Sequence, residues 1–313
     1  MSVFNQEIVR SPTNAGLKLY TALAPNPVGI IQINHGLAEH AARYEHFAAL
    51  LKVAGFHVYA HDHRGHGGTT ATDAPPGMFA PSNGFVKVVA DVEAVHELME
   101  ARHDDLPVIT FGHSMGGLIA LNHAIQHPTR AAGLAVWNSN FSAGALGRVA
   151  QGILAFERFR LGHDAASRML PRLTFGAWTK SIKNRLTDFD WLSRDGAAVE
   201  AYIADPLCGW DASVAMWQDI FELVFAGAND ENLAKLSRSL PIHLHGGGCD
   251  PATDFGQATE ALASRLQALD FSAVTTTIDP QGRHESLNEI NRDEIIAEFI
   301  TWANLVVSKW QKA

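Results

Sequence analysis

Residues 107–121 read PVITFGHSMGGLIAL, in which the motif Gly112-His113-Ser114-Met115-Gly116 lies between two apolar runs. The run before the motif predicts a buried strand, and the run after it predicts a helix. A G-x-S-x-G motif in this position is typical of a serine held on a sharp turn above the edge of a sheet. We therefore predict that Ser114 is a nucleophile and that Gly112, His113 and Gly116 support the turn.

The residues on either side of the serine fit such a turn. A Cβ atom at position 112 or 116 would collide with neighbouring chain, so both positions need small residues. The turn also brings the backbone N–H of Met115 to a helix N-terminus, where it can face a developing oxyanion. A glycine-rich connection with an incidental serine is the competing interpretation, and the strand and helix around the motif argue against it.

A serine hydroxyl is a weak nucleophile without a base, and two later strand ends offer one. The predicted strand 242–245 leads into a turn that holds Asp250, and the predicted strand 272–278 leads into a loop that holds His284. We predict that Asp250 is the acid and His284 the base, in the chain order serine, acid, histidine. Asp254 is the alternative acid, although it could instead cap the next helix.

The second oxyanion donor is expected in the loop after the predicted strand 28–34, which begins His35-Gly36-Leu37. A glycine at position 36 lets the backbone turn an N–H inward, and we predict that the donor is the N–H of Leu37. His35 either orients this loop by hydrogen bonding or is simply a histidine at a strand end.

Strands and helices alternate on both sides of one long segment that contains no convincing strand. The predicted elements are an N-terminal hairpin (3–10, 17–22), strands at 28–34, 56–60, 108–111, 132–137, 242–245 and 272–278, and helices at 43–54, 85–102, 115–126, 255–268 and 292–309. This order predicts an α/β fold with a mostly parallel central sheet flanked by helices. We predict a core domain of residues 1–140 and 238–313, and a helical cap of residues 141–237 inserted after the strand near 132–137.

A second group of histidines with one aspartate is dense enough to suggest a zinc or iron site: His57, His61, Asp62, His63 and His66. Their spacing does not repeat a known ligand pattern such as HExxH, and only His243 and His245 offer a second cluster. The alternative interpretation is a loop braced by contacts between Asp62 and Arg64. We predict no metal and no cofactor.

Composition excludes several classes of protein. The chain has 313 residues, of which 47% are hydrophobic and 18% charged, so it is globular and not disordered. Its 24 Lys and Arg against 33 Asp and Glu leave a net charge of −9, which is unsuited to nucleic acid. No apolar stretch is long enough for a membrane span, no signal peptide is evident, and two cysteines suit a reducing compartment. We therefore expect a cytoplasmic location.

Several motifs together resemble one family. They are Asn34–His40 (NHGLAEH) with Arg43-Tyr44, Asp62–Gly67 (DHRGHG), Gly112–Gly117 (GHSMGG), Arg283–Glu289 (RHESLNE) and, in the predicted cap, Asp190–Asp195 and Ala204–Cys208. This combination is similar to the α/β-hydrolase family of monoacylglycerol lipases and lysophospholipases, the serine aminopeptidase S33 or hydrolase-4 type. The resemblance implies Ser114 as nucleophile, Asp250 as acid, His284 as base, oxyanion donors at Leu37 and Met115, and no metal.

The predicted cap is rich in aromatic residues and uneven in charge. It contains four of the seven Trp and seven of the sixteen Phe, which suits either an apolar acyl channel or the small core of a helical cap. Residues 148–185 carry eight basic and two acidic residues, and residues 186–237 carry two basic and ten acidic residues. The basic half could face anionic lipid, but we favour the expectation that the two halves pair with each other.

These observations lead us to expect a carboxylic ester hydrolase that acts on lipid-like monoesters. A small-ester esterase or a peptidase of the same fold is the alternative. A metal-dependent hydrolase and a non-catalytic binding protein are less favoured. The expected partner is a small lipid ester and not nucleic acid. Peripheral membrane contact through the cap is left open, and the sequence predicts no oligomeric state.

Overall fold

The structure, a computed structural model, describes residues 2–142 and 144–310. The strands are β1 (Asn5–Arg10), β2 (Gly16–Ala22), β3 (Gly29–Asn34), β4 (Phe56–His61), β5 (Val108–His113), β6 (Gly133–Trp137), β7 (Ile242–Gly247) and β8 (Val274–Asp279). The helices are α1 (Glu45–Val53), α2 (Gly84–Arg102), α3 (Met115–Gln126), α4 (Gly144–Leu161), α5 (Leu170–Leu173), α6 (Phe175–Ser181), α7 (Gly196–Ala204), α8 (Val214–Gly227), α9 (Asp230–Leu233), α10 (Gln257–Ala268) and α11 (Arg292–Trp310).

The eight strands form one sheet in the order β1-β2-β4-β3-β5-β6-β7-β8. β2 pairs antiparallel with β1 and with β4, whereas the pairs from β4 across to β8 are all parallel. β3 to β7 are buried along their whole length, which is why apolar residues are frequent in them, although β4 and β7 each also contain two buried histidines. The predicted mostly parallel sheet flanked by helices is confirmed.

Helices cover both faces of the sheet. On one face, α1 and α11 contribute Phe47 and Phe299, which pack with Phe111 and Trp137 at ring-centre distances of 5.1–6.5 Å. On the other face, α2, α3 and α10 share a second buried apolar cluster with β6 and β7. Because the strands from β4 across to β8 run parallel, their carboxyl ends lie at one edge of the sheet, where the loops after them come together.

The described residues between β6 and β7 contain helices α4 to α9 and no strand, apart from one isolated bridge between Ala166 and Ser213. α8 is joined to the sheet layers, because the Asn122 side chain of α3 donates to the carbonyl of Leu223 at 2.8 Å. The division into a core and a cap at 140/141 and 237/238 stays a prediction. None of the described helices is both long and apolar enough to cross a membrane.

The expected pairing between the two charged halves of the insertion is wrong. Within the described part of the chain, no ion pair joins residues 148–185 to residues 186–237, and all eight basic residues of the first half are exposed. Acidic side chains of the second half contact the core instead, as Asp205 does with His40 at 2.9 Å and Asp195 with Arg292 at 3.4 Å. The basic half faces solvent, whereas the acidic half is divided between exposed side chains and side chains that contact residues outside the insertion.

The expected brace between Asp62 and Arg64 is also wrong, because the two side chains point to different layers. Asp62 accepts hydrogen bonds from the N–H groups of Ala41 and Gly68 at 2.8 and 2.7 Å. Arg64 is fully buried and pairs with Asp91 of α2 at 2.8 Å. The loop after β4 is thus tied to two different segments by two separate side chains.

Candidate active site

Ser114 occupies a strained backbone position between β5 and α3. Its φ and ψ are 54° and −121°, a backbone conformation that residues other than glycine rarely adopt. The strain is held by neighbours, since the Ser114 N–H donates to the carbonyl of Trp137 at 2.9 Å and its carbonyl accepts from Ser139 Oγ at 2.8 Å. The nucleophile predicted from the motif therefore lies at the end of a buried strand and the start of a helix.

The two glycines of the motif are required by close approach of the backbone. A Cβ atom added at Gly112 would lie 2.1 Å from the carbonyl oxygen of Gly116. One added at Gly116 would lie 2.1 Å from the carbonyl oxygen of Asn34, at the end of β3. The turn thus packs directly on the strand that leads into the predicted oxyanion loop.

The structure brings Ser114, His284 and Asp250 into one hydrogen-bonded chain. Ser114 Oγ lies 2.9 Å from His284 Nε2, and His284 Nδ1 lies 2.9 Å from Asp250 Oδ2. Such a chain lets the imidazole accept the serine proton while the carboxylate holds the ring in one tautomer and stabilises the imidazolium. Asp250 and His284 are buried, which strengthens these contacts relative to water.

Asp250 is kept ionised by its surroundings. Its carboxylate also accepts hydrogen bonds from Thr253 Oγ1 and from the N–H of Ala252, both at 2.9 Å. Burial alone would raise the pKa of Asp250, but the charge of His284 and these hydrogen bonds outweigh it and hold the pKa below its usual value. The group facing His284 is therefore a carboxylate at neutral pH.

Asp254 lies outside this arrangement. It follows the short turn Pro251–Thr253 in a left-handed conformation, with φ of 51°, and its side chain is exposed. It does not cap the next helix either, because the N-cap of α10 is Gly256. The geometry therefore favours Asp250 over Asp254 as the partner of His284.

His35 holds the predicted oxyanion loop by two hydrogen bonds. Its Nε2 accepts from the N–H of His63 at 2.9 Å, so the ring proton is on Nδ1, which donates to the carbonyl of Gly36 at 2.7 Å. In a trans peptide the N–H points opposite to the carbonyl, so this bond turns the N–H of Leu37 away from the His35 ring. Burial lowers the pKa of His35 to about 4, which keeps the ring neutral and able to accept from His63.

Glu39 is a buried carboxylate that the sequence did not single out. It accepts from the N–H of Gly36 at 2.6 Å and from the Tyr44 hydroxyl at 2.8 Å. Burial alone would raise its pKa, but Arg43 and His113 hold the pKa well below the usual value. The motif HGLAEH with Arg43-Tyr44 could have pointed to Glu39, because the polar residues of this motif directly follow a strand that ends at the site.

His113 and Arg43 extend this network to the loop that holds His284. His113 Nε2 lies 2.9 Å from the carbonyl of His284, and Arg43 binds both carboxylate oxygens of Glu285 at 2.6 and 2.7 Å. Burial opposes protonation of His113, but Glu39 raises its pKa above the ordinary value. One polar network thus connects the predicted oxyanion loop to His284.

The insertion also helps to position His284. This role of the insertion was not predicted from the sequence. The N–H of His284 donates to the carbonyl of Trp191 at 3.3 Å, and the N–H of Glu285 donates to that of Leu192 at 2.7 Å. The Trp191 ring lies 5.1 Å from the His284 ring. The backbone at His284 and Glu285 is therefore held by the inserted segment.

The rival histidines do not all meet at one centre. His61, His63 and His66 lie around His35, with ring-centre distances of 4.8 Å from His61 to His63 and 5.0 Å from His66 to His35, but the described residues show no gathering of their ligand atoms within 4.8 Å of one another. His57 accepts from the N–H of Ala24, and its ring lies 4.3 Å from the tilted ring of His103, whereas His243 packs against Trp302 at 5.1 Å on the opposite face of the sheet. His61 and His66 are buried, and burial lowers the pKa of each to about 3. These histidines are neutral core side chains around neutral pH.

A cavity of about 520 Å³ opens beside Ser114 and His284. Its wall from the insertion contains seven of the eleven Trp and Phe residues of that segment: Phe175, Trp178, Phe189, Trp191, Trp210, Trp217 and Phe221. Some of these rings also contact each other, such as Trp178 and Trp191 at 4.9 Å. The aromatic residues therefore both pack against each other and line the cavity. The insertion has a small aromatic core, and the same residues form an apolar wall of the cavity.

Comparison with known proteins gives a consistent family match. Residues 25–291 match the model of the family described as "Serine aminopeptidase, S33". The monoacylglycerol lipase of Mycolicibacterium smegmatis is 32% identical over 184 residues, 58% of this chain and 57% of that protein. The human monoglyceride lipase is 32% identical over 181 residues, 58% of this chain and 52% of that protein. The match thus spans little more than half the length of these relatives.

A solved structure matches over nearly the whole chain. It is a thermostable carboxyl esterase from Bacillus coagulans in complex with glycerol, with a TM-score of 0.88 and 25% identity. The match covers 98% of this chain and 100% of the esterase. The sheet, the helices around it and the insertion therefore have a counterpart of the same arrangement.

Proposed function

Because the chain belongs to the serine aminopeptidase S33 (hydrolase-4) family of α/β-hydrolases, we propose that it is a serine carboxylic ester hydrolase acting on lipid-like monoesters. The observation that carries the proposal is the hydrogen-bonded chain from Ser114 through His284 to Asp250 beside an aromatic cavity. The names of the relatives, a monoacylglycerol lipase and a monoglyceride lipase, support the ester bond as the target.

In this proposal His284 takes the proton of Ser114 as the serine oxygen attacks the ester carbonyl carbon. The N–H groups of Leu37 and Met115 bind the oxyanion of the tetrahedral intermediate, and each contributes about 3–4 kcal/mol to the transition state. His284 then protonates the leaving alcohol. Water hydrolyses the acyl-serine by the same steps, so no metal or cofactor takes part.

The cavity supports an acyl chain as the part of the substrate that binds away from the carbonyl. Its aromatic wall excludes water from methylene groups, each of which contributes about 0.8 kcal/mol when buried. Binding energy far from the reacting atoms can appear in kcat or in KM. A monoacylglycerol or a lysophospholipid offers one such chain together with a polar headgroup.

We expect kcat/KM for p-nitrophenyl esters to rise by up to about three thousandfold from the acetyl to the octanoyl ester, since about six further methylenes enter the cavity. Phe221→Ala should flatten this rise, because Phe221 lines the cavity. The control is Phe225→Ala, one turn along α8, since Phe225 does not line this cavity and its loss should preserve the rise. A flat or falling profile in the wild type would instead assign the chain to small-ester esterases.

We further propose that the basic half of the insertion docks on anionic lipid. All eight of its Lys and Arg residues are exposed, and apolar side chains lie among them, with Phe156 55% and Phe159 89% exposed on α4. Arg160 lies over the Phe156 ring at 5.7 Å, so charge and apolar surface are combined on one helix. Basic and aromatic side chains together are typical of helices that bind membrane interfaces.

Vesicles of phosphatidylglycerol should bind the chain more tightly than vesicles of phosphatidylcholine, and salt should weaken this binding as the Debye length falls from about 30 to 8 Å. Phe159→Ala should weaken it by about tenfold or more, because a buried Phe contributes about 1.5–3 kcal/mol. Val53→Ala is the control, since Val53 is 87% exposed but belongs to α1. Equal binding to both lipids, or equal loss in both variants, would refute docking by this surface.

A further inference from the structure

Three side chains with metal-binding atoms meet beside the predicted oxyanion loop, outside the hydrogen-bonded chain of Ser114. They are His40 of the core and Asp205 and Cys208 of the segment after α7, and their ligand atoms all lie within 4.8 Å of one another. His40 Nε2 is 2.9 Å from Asp205 Oδ2. We infer that these three residues form a binding site for a divalent cation of the zinc type.

The chemistry of the three donors suits zinc and cobalt. Imidazole nitrogen, carboxylate oxygen and thiolate sulfur are the ligands that Zn²⁺ uses, and three protein ligands leave a fourth position for water. Mg²⁺ and Ca²⁺ are disfavoured, because they prefer oxygen ligands alone. His40 Nδ1 is buried with no hydrogen-bond partner in the described chain. It can therefore take the ring proton when a metal bound to Nε2 replaces the present hydrogen bond from Nε2 to Asp205.

The charges around the site permit a cation. Arg43 is nearby, but its guanidinium is already bound by Glu39 and Glu285, whose two carboxylates outweigh its charge. On binding, the metal–sulfur bond replaces the S–H bond of Cys208 and the proton passes to water. The Asp205 side chain is 30% exposed, which gives solvent and metal access.

An ion here would fasten the insertion to the predicted oxyanion loop. The carbonyl of Ala38, next to Leu37, already accepts from the N–H of Gly209 and from the Tyr202 hydroxyl, both at 3.0 Å. The metal would add a connection from Asp205 and Cys208 to His40 across the same contact. Because the ion binds the folded chain, it also adds to the free energy of unfolding.

Cobalt titration of the metal-free wild-type chain tests this site independently of any enzyme activity. We expect one Co²⁺ per chain, a thiolate-to-cobalt charge-transfer absorption in the near ultraviolet, and loss of that absorption when Zn²⁺ is added. Cys208→Ser should abolish the absorption, whereas Cys249→Ser, which removes the exposed second thiol, should retain it. Asp205→Asn should weaken Zn²⁺ binding by about tenfold or more, as loss of a ligand costs at least as much as loss of an outer partner.

A second group, Glu93, His123 and His127, also brings ligand atoms within 4.8 Å, but Arg130 already binds Glu93 at 2.8 Å. His127→Ala is therefore the control for zinc bound elsewhere and should leave binding unchanged. The inference is overturned if the wild type gives no charge-transfer absorption, if Cys208→Ser retains it, or if His127→Ala abolishes zinc binding.

Discussion

Ser114→Ala is expected to lower kcat for ester hydrolysis by about a millionfold, because the base has no hydroxyl to deprotonate and no acyl-serine can form. The loss should come from chemistry and not from unfolding, since alanine keeps the Cβ atom and removes only Oγ. The measurement is single-turnover hydrolysis of an octanoyl ester, together with the melting temperature of the variant.

The exposed residue Ser82 supplies the control, and Ser82→Ala should hydrolyse the ester at the wild-type rate. Adding His284→Ala to Ser114→Ala should cause almost no further loss, because the two groups act as one unit through the 2.9 Å contact between Oγ and Nε2. If Ser114→Ala keeps more than about one hundredth of the wild-type rate, another residue is the nucleophile.

Asp250→Asn is expected to lower kcat by about 10⁴-fold, the second largest effect. The amide has nearly the same shape, but it carries no charge to stabilise the imidazolium and its NH₂ group favours the wrong tautomer of His284. Asp250 Oδ2 lies 2.9 Å from His284 Nδ1, so the change acts at the contact that orients the base.

Asp254→Asn is the matched control, four positions along the chain. It should leave kcat within about twofold of the wild type, because the Asp254 side chain is exposed and lies outside the hydrogen-bonded chain of Ser114, His284 and Asp250. The comparison uses kcat at saturating substrate, with melting temperatures to compare the folding of the two variants. A larger loss in Asp254→Asn than in Asp250→Asn would move the acid to position 254.

Some tertiary contacts of the site were beyond prediction even where the residues stood out. Arg43 and Tyr44 belong to a recognisable motif and contact Glu39 within it, yet the contact of Arg43 with Glu285 depends on a loop 242 residues further along the chain. The aromatic residues of the insertion left two interpretations open, because composition does not tell which face of a short helix turns toward a cavity. Packing of the insertion against the loop of His284 decides this.

The sequence by itself determined the order of strands and helices and the position of the serine turn. Both depend on neighbours in the chain, since strands buried on both faces are rich in apolar residues and a turn with Gly112 and Gly116 tolerates no Cβ atom. Only the tertiary structure brought Asp250, and not Asp254, within hydrogen-bond distance of His284, directed Asp62 and Arg64 to different layers and left the basic half of the insertion facing solvent. These outcomes depend on side-chain direction and on segments far apart in sequence, where a few degrees of backbone rotation change which partner is within hydrogen-bond distance.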